Sequence, residues 1–212
     1  MTTYDRILAP LLDAGYAAAT LTNPSAAPAT RPDGSVDVVI SAQLTPGAVY
    51  TVSSLTFAGS PLLSAEAFAA TAKLHAGDIA AHKSLIETLT PLDAAYRAKG
   101  YMDVVVDAHP TLDRTAHTVS YTVTVQPGEQ YRVHEITANN LTPAAKSDFD
   151  RGFRMKPGEP YNPAYITTFL KNNTALQALI GYSASFKAYA DPAAHTVDVV
   201  IDFYRMSAKP GR

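Results

Sequence analysis

Two stretches of the chain carry the same order of apolar and polar positions, 81 residues apart. Tyr50 and Val52 recur as Tyr131 and Val133, Leu55 as Ile136, and Phe68 as Phe149. Leu74-x-x-Gly77 recurs as Met155-x-x-Gly158, and Gly100-Tyr101 as Gly181-Tyr182. Pro46-Gly47 and Pro127-Gly128 stand at the starts of the two copies. No insertion is needed between Tyr50 and Tyr101 to hold the register. A period this long marks an array of small modules, so function is to be sought in the array.

Within each copy the opening strand changes its apolar phase midway. Tyr50 and Val52 share one parity, Leu55 and Phe57 the other; Tyr131, Val133, Ile136 and Ala138 repeat the change. One extra residue in an alternating run predicts a bulge near Ser53-Ser54 and His134-Glu135. Turns follow at Ala58-Gly59 and Asn139-Asn140. Thr142 as N-cap with Pro143 behind it predicts a helix start, with Ser60-Pro61 as its counterpart. A short helix is then expected over Glu66–Thr71 and Ala144–Phe153. A longer one is expected from about Lys83 to Lys99, on the stripe Leu85, Leu89, Leu92 and Tyr96. Tyr165, Ile166, Phe169, Leu170, Leu176 and Leu179 form the equivalent stripe. Pro91 is expected to distort or delay the first of these helices. Gly100 and Gly181 stand where a C-terminal cap requires positive φ.

After each Gly-Tyr comes a β-rich segment, Met102–Ala108 or Ser183–Tyr189, then turn residues at Asp113-Arg114 or Asp191-Pro192. The last strands alternate cleanly: Val119, Tyr121, Val123 and Val125 in one copy, Val197, Val199, Ile201 and Phe203 in the next. One buried and one wet face describe a sheet covered by helices on a single side. The module is therefore β-α-α-β-β, an α+β unit. Residues 1–46 supply only the back half: a helical stripe of Ile7, Leu8, Leu11 and Leu12, Gly15-Tyr16, and a hairpin turning at Pro32-Asp33-Gly34. The Val36–Leu44 strand then lacks one neighbour, which leaves an apolar edge expected to pair with another chain or to fray. The expected partition is 1–46, a truncated module, then 47–127 and 128–207.

Composition narrows the function classes. Of 212 residues, 47% are hydrophobic and 17% charged, enough apolar surface for globular cores. The net charge is −2, with no basic run and no Trp, so the footprint of a nucleic-acid binder is missing. Cysteine is absent, which removes disulfides and thiolate metal sites. No apolar run reaches the roughly 18–20 residues of a helical membrane span, and Met1-Thr2-Thr3-Tyr4-Asp5-Arg6 does not read as a secretory signal. With the half-module at the start, this suggests a piece of a longer exported chain.

The β-α-α-β-β order, the Gly-Tyr before the second strand and the Pro-Gly-x-x-Tyr junction resemble the POTRA (polypeptide-transport-associated) domain. They are similar in particular to the periplasmic arrays of BamA/TamA-type outer-membrane assembly proteins. The resemblance covers residues 47–207, with 4–46 as a truncated module. It implies tandem modules, each a three-stranded mixed sheet covered on one face by two helices, with the last strand central and the second at an open edge. It also implies a periplasmic location at the outer membrane, ahead of a membrane β-barrel in the full-length chain. Implied partners are unfolded outer-membrane protein segments and accessory periplasmic or lipoprotein partners.

An open edge offers unpaired N–H and C=O groups that another extended chain can complete. The expected peptide-binding residues are Met102, Asp103, Val104, Val105 and Val106 in one copy, and Ser183, Ala184, Ser185, Phe186 and Lys187 in the next. The apolar phase differs between them: Met102, Val104 and Val106 share a face, whereas Tyr182, Ala184, Phe186 and Ala188 do. A rigid spacer or docking platform and a two-partner secretion transporter are the alternative readings. An enzyme is not expected, nor a cofactor or metal. The six histidines, His75, His82, His109, His117, His134 and His195, are scattered, and His117 and His195 occupy equivalent hairpin positions. Asp103, Asp107, Asp198 and Asp202 read as solvated strand faces rather than catalytic carboxylates.

Overall fold

The computed structural model describes residues 3–172 and 179–205. Its elements run α1 (Thr3–Asp13), β1 (Thr20–Thr30), β2 (Val36–Thr45), β3 (Thr51–Phe57), α2 (Ala65–Thr71), α3 (His82–Arg97), β4 (Val105–Asp113) and β5 (Thr118–Gln126). The order continues with β6 (Arg132–Asn139), α4 (Pro143–Gly152), α5 (Pro163–Lys171), β7 (Tyr182–Asp191) and β8 (Thr196–Arg205). Three sheets result: a β1-β2 hairpin and two three-stranded mixed sheets, ordered β3-β5-β4 and β6-β8-β7. Each last strand is central, and each opening strand runs parallel to it. By compactness the chain divides into residues 1–92 with 106–125, and residues 93–105 with 126–212.

The phase change in the opening strands is a bulge in both. Pairing of β3 with β5 skips a residue between Val52 and Ser54, and β6 with β8 skips one between Val133 and Glu135. The bulge lets Tyr50 and Val52 be buried at one end while Leu55 keeps its inward parity at the other. The start of each opening strand is also tied on its outer side. Val52 N–H donates to Asp78 O (2.8 Å), Gly77 N–H to Val52 O (2.8 Å) and Ala80 N–H to Tyr50 O (2.9 Å). The same three bonds recur as Val133 to Glu159, Gly158 to Val133 and Tyr161 to Tyr131. The hairpin histidines are part of the repeat as well. His117 and His195 both have positive φ, and their rings meet Tyr50 and Tyr131 edge-on at 5.8 and 5.6 Å.

Several helix boundaries depart from the sequence expectation. Thr142 caps α4 by accepting from Ala145 N–H, as its sequence predicts. Ser60-Pro61 is not the counterpart cap. Ser60 instead closes a tight turn with Leu63, and Ser64 caps α2 by accepting from Ala67 N–H. Pro91 neither delays nor interrupts α3, which runs from His82 to Arg97 through it. Part of that helix's start is secured from afar: Asp13 Oδ1 accepts Lys83 N–H at 2.8 Å, 70 residues away in sequence. In the last copy α5 ends at Lys171 on the Asn172 C-cap; Leu176 lies outside the described residues, whereas Leu179 is fully buried.

The core of the first unit gathers Tyr50, Val52, Phe68, Leu74, Leu85, Leu89, Val119 and Val123. Among the described residues it holds one buried polar residue, Thr88. Its hydroxyl donates to Ser84 O (2.8 Å) and accepts Lys73 N–H (2.9 Å), so it ties the chain after α2 to the middle of α3. Thr88→Val keeps the shape and removes the only acceptor shown for that N–H. The expected loss is about 1–3 kcal/mol, read as a lower urea midpoint at unchanged m-value.

The second unit has a more aromatic core. Phe149 stacks on Phe153 at 4.9 Å and meets Phe203 edge-on at 5.8 Å, while Phe153 meets Phe169 at 5.0 Å. Ile166, Leu179, Val197 and Ile201 complete it, all fully buried. In the hairpin of residues 20–45, by contrast, Val36, Val38, Val39, Ile40 and Leu44 are exposed and β2 pairs only with β1 among the described residues.

Candidate functional site: the sheet edges

The second strand of each three-stranded sheet, β4 or β7, stands at its edge, and no described strand pairs with its outer side. The two edges are differently made. β7 pairs with β8 without a break, from Tyr182 opposite Arg205 to Asp191 opposite Thr196. Tyr182 is buried, and Ala184 and Phe186 pack against the core, while Ser183, Ser185 and Lys187 face solvent. All five expected residues of this copy therefore lie on the edge strand. Core-facing side chains anchor it, and its outward side chains are small or flexible, so a backbone can approach.

β4 begins at Val105, not at Met102. Met102, Asp103 and Val104 stand in the turn ahead of it, and only Val105 and Val106 of the expected five are on the strand. The cause is Arg97. Its Nη1 donates to Met102 O at 2.6 Å and its Nη2 to Val104 O at 3.5 Å, while its Nε pairs with Asp93 at 2.8 Å. Met102 N–H donates to Gly100 O (3.0 Å), and Asp103 accepts the Tyr131 hydroxyl at 3.0 Å. That hydrogen bond holds the Tyr131 phenol above its ordinary pKa. Asp103 is thus tied to Tyr131 rather than being a free solvated carboxylate. At the position equivalent to Arg97 the last copy has Ala178, which carries no such donor.

Further along, β4 contains Pro110. Proline lacks the N–H a sheet ladder needs, so it is accommodated where that group would point outward, and it removes a donor from the open edge. Val104, Val106 and Ala108 keep the inward parity, with Val105, Asp107 and His109 outward. His109 leans back across the sheet to Thr124 Oγ1 at 3.1 Å. The two edges thus share their place in the fold but not their chemistry: β7 offers ten uninterrupted residues, β4 a shorter run blunted at Pro110.

The expected wet faces carry partners that sequence reading did not find. His134, the extra residue of the β6 bulge, lies 2.8 Å from Asp198, and Asn139 donates to Asp202 at 2.9 Å. The paired positions in the middle copy are Ser53 and Ser120, so this polar ladder belongs to one module only. A signal was available in the two strands' changing register, since the bulge decides which residues face each other. Among the described residues, no group of three or more His, Asp or Glu is arranged to hold a metal.

Two comparisons bear on this architecture. Residues 50–128 match the family described as POTRA, surface antigen variable number repeat. The chain is similar in fold to the crystal structure of Haemophilus influenzae BamA POTRA3-5, with 18% identity, 96% of this chain and 78% of that chain covered, and a TM-score of 0.67. It is also similar to BamA from Haemophilus ducreyi lacking POTRA domains 1-3, with 17% identity, 74% of this chain and 29% of that chain covered, and a TM-score of 0.56. At these identities the likeness establishes the fold. No curated protein sequence matches the chain.

Proposed function

We propose that this chain works as a periplasmic array in outer-membrane protein assembly or transport, on the match of residues 50–128 to the POTRA family and the likeness of the fold to tandem POTRA modules. On this reading residues 1–46, 47–127 and 128–207 are the successive modules, the first truncated. Unfolded outer-membrane protein segments add as a further strand on the outer edge of β7, along Ser183–Lys187. Accessory periplasmic or lipoprotein partners dock on the same array.

The observation that carries the reading is the uninterrupted edge of β7, which no described strand pairs, held in place by Tyr182, Ala184 and Phe186. Main-chain pairing is largely indifferent to the incoming side chains, which suits a receiver of many different strands. The affinity is low, because ordering an extended peptide offsets most of the pairing energy. β4 contributes less on this reading, since Pro110 and the Arg97-held turn shorten its usable edge. The polar ladder of His134, Asp198, Asn139 and Asp202 favours a docking role for the opposite face of the last module.

An NMR titration of the whole chain tests the edge. The probe is a ten-residue peptide alternating Val or Tyr with Thr or Ser, taken to millimolar concentration. Amide shifts are expected along Ser183–Lys187, with smaller ones at Val105–Val106. Unchanged spectra in both segments would remove strand addition and leave the spacer or docking platform.

A further inference from the structure

Under the inner face of β4, where the chain enters α3, the first unit holds a pocket of about 240 Å³. Its residues come from α1 and the turn after it, from the start of α3, and from β4 and β5, all within that unit. Tyr121, Leu85 and Ala80 form a buried floor, and Leu12, Ala17 and Ala108 are half-buried walls. His82 stands exposed at the mouth.

The repeat accounts for the space. Ala17 follows Gly15-Tyr16 as Met102 follows Gly100-Tyr101. Ala80 N–H donates to Tyr50 O as Tyr161 N–H donates to Tyr131 O. Ala108 stands five residues before the hairpin's Asp113, as Phe186 stands five before Asp191. Met102 and Phe186 pack against the core of the last module, and Tyr161 is buried in it. Three alanines thus occupy positions where the other copy has three large side chains. Part of the volume is returned, since Tyr121 stands where the last module has Val199, and Leu112 and Pro110 where it has Ala190 and Ala188. The ring of Tyr121 brings a hydroxyl with it. That hydroxyl has no hydrogen-bond partner among the described residues, although the residue is only 7% exposed. It is not sealed off as the Tyr96 hydroxyl is. Burial alone holds the Tyr121 phenol above its ordinary pKa, so it is a neutral donor at pH 7.

We propose that this pocket binds a small uncharged molecule with a ring-sized apolar body and a carbonyl oxygen, the body seated among Leu85 and the three alanines and the oxygen accepting from the Tyr121 hydroxyl. Size sets the first limit. An apolar cavity of about 150 Å³ already takes benzene, so about 240 Å³ leaves room for a few further atoms. Charge sets the second, because His82 at the mouth is the one basic group among the described lining residues and none is acidic. An ion seated on the apolar floor would lose its hydration without a partner. Tyr121 sets the third, since a buried donor lacking an acceptor favours a ligand that brings one. Such a molecule lies against side chains on the inner face of the sheet and uses no strand edge. The assignment therefore does not rest on the proposed function.

The probes are acetophenone and its hydrocarbon analogue ethylbenzene, titrated to millimolar concentration against the whole chain and followed by amide NMR. Acetophenone is expected to shift the amides of Ala17, Ala80, His82, Ala108 and Leu112, while those of Ser183–Lys187 stay in place. Tyr121→Phe is expected to weaken acetophenone roughly three- to tenfold and to leave ethylbenzene within about twofold. Ala80→Tyr, which copies Tyr161, is expected to abolish the shifts from both probes. Should it not fold, Ala108→Phe, which copies Phe186, reads the same loss. An absence of shifts around the pocket, undiminished binding by the folded filled variant, or an equal effect of Tyr121→Phe on both probes would each overturn the proposal.

Discussion

Gly100→Ala is expected to destabilise the protein by about 3 kcal/mol or more, whereas Gly181→Ala costs about 1–2 kcal/mol. Both glycines precede an equivalent tyrosine and have nearly the same backbone, φ +89° and +83°. Both substitutions therefore carry the penalty of an L-residue in the left-handed region. Only at Gly100 is there something in the way. A β-carbon there would stand 2.5 Å from Tyr131 O and 3.2 Å from Tyr161 N, whereas nothing lies within 4 Å of one at Gly181. Backbone cannot step aside as a flexible side chain would. Gly100 O also accepts Tyr131 N–H at 2.8 Å, and Tyr131 O accepts Tyr161 N–H at 3.0 Å, so relieving the clash strains two further bonds. Urea denaturation of both variants measures the difference directly, since the shared φ penalty cancels. Equal midpoints would show that close packing at Gly100 contributes nothing.

Phe203→Ala is expected to cost about 3–5 kcal/mol. The ring is 1% exposed and meets Phe149 at 5.8 Å and Tyr182 at 6.3 Å, both edge-on. It lies on the central strand β8, between β6 and β7, so little surrounds it that can collapse into the space. Tyr204 is its neighbour in sequence but is 51% exposed, and Tyr204→Ala is expected to change stability by under about 1 kcal/mol. A melt of the two variants separates them. The Phe203→Ala variant should also lose order at Tyr182, and with it the anchoring at the start of the β7 edge. Its peptide shifts along Ser183–Lys187 should therefore weaken with its stability.

What the sequence made legible was whatever depends on local repetition. The change of parity after Val52 and Val133 located two bulges, because alternation has a period of two and admits no other account of an extra residue. Gly100-Tyr101 located the end of α3, and Thr142-Pro143 located the start of α4. What it concealed depends on distant residues. The start of β4 is set by Arg97, whose guanidinium holds Met102 and Val104 carbonyls across a turn. Nothing in the alternation of Met102, Val104 and Val106 reveals that donor. Thr88 and Asp13 act across 15 and 70 residues, and look like ordinary polar positions in the sequence. Pro91 was legible as a hazard but not as a tolerated one, since a helix held by Leu85, Leu89 and Leu92 against a core can lose one internal hydrogen bond.

The candidate edges divide along the same line. β7 could be read in full because its phase runs unbroken from Tyr182. β4 could be read only in part, since the turn before it is a tertiary arrangement.

The main-chain tie between each opening tyrosine and the glycine before it recurs, Tyr50 N–H to Gly15 O and Tyr131 N–H to Gly100 O, both at 2.8 Å. Between glycine and tyrosine lie 34 residues in the first instance and 30 in the second, and the hairpin within absorbs the difference. Length can therefore vary at the hairpin tip without loosening the clasp. For engineering, the tip at Asp33-Gly34, where Gly34 has nothing near it, is the place to graft a foreign epitope or a fluorophore.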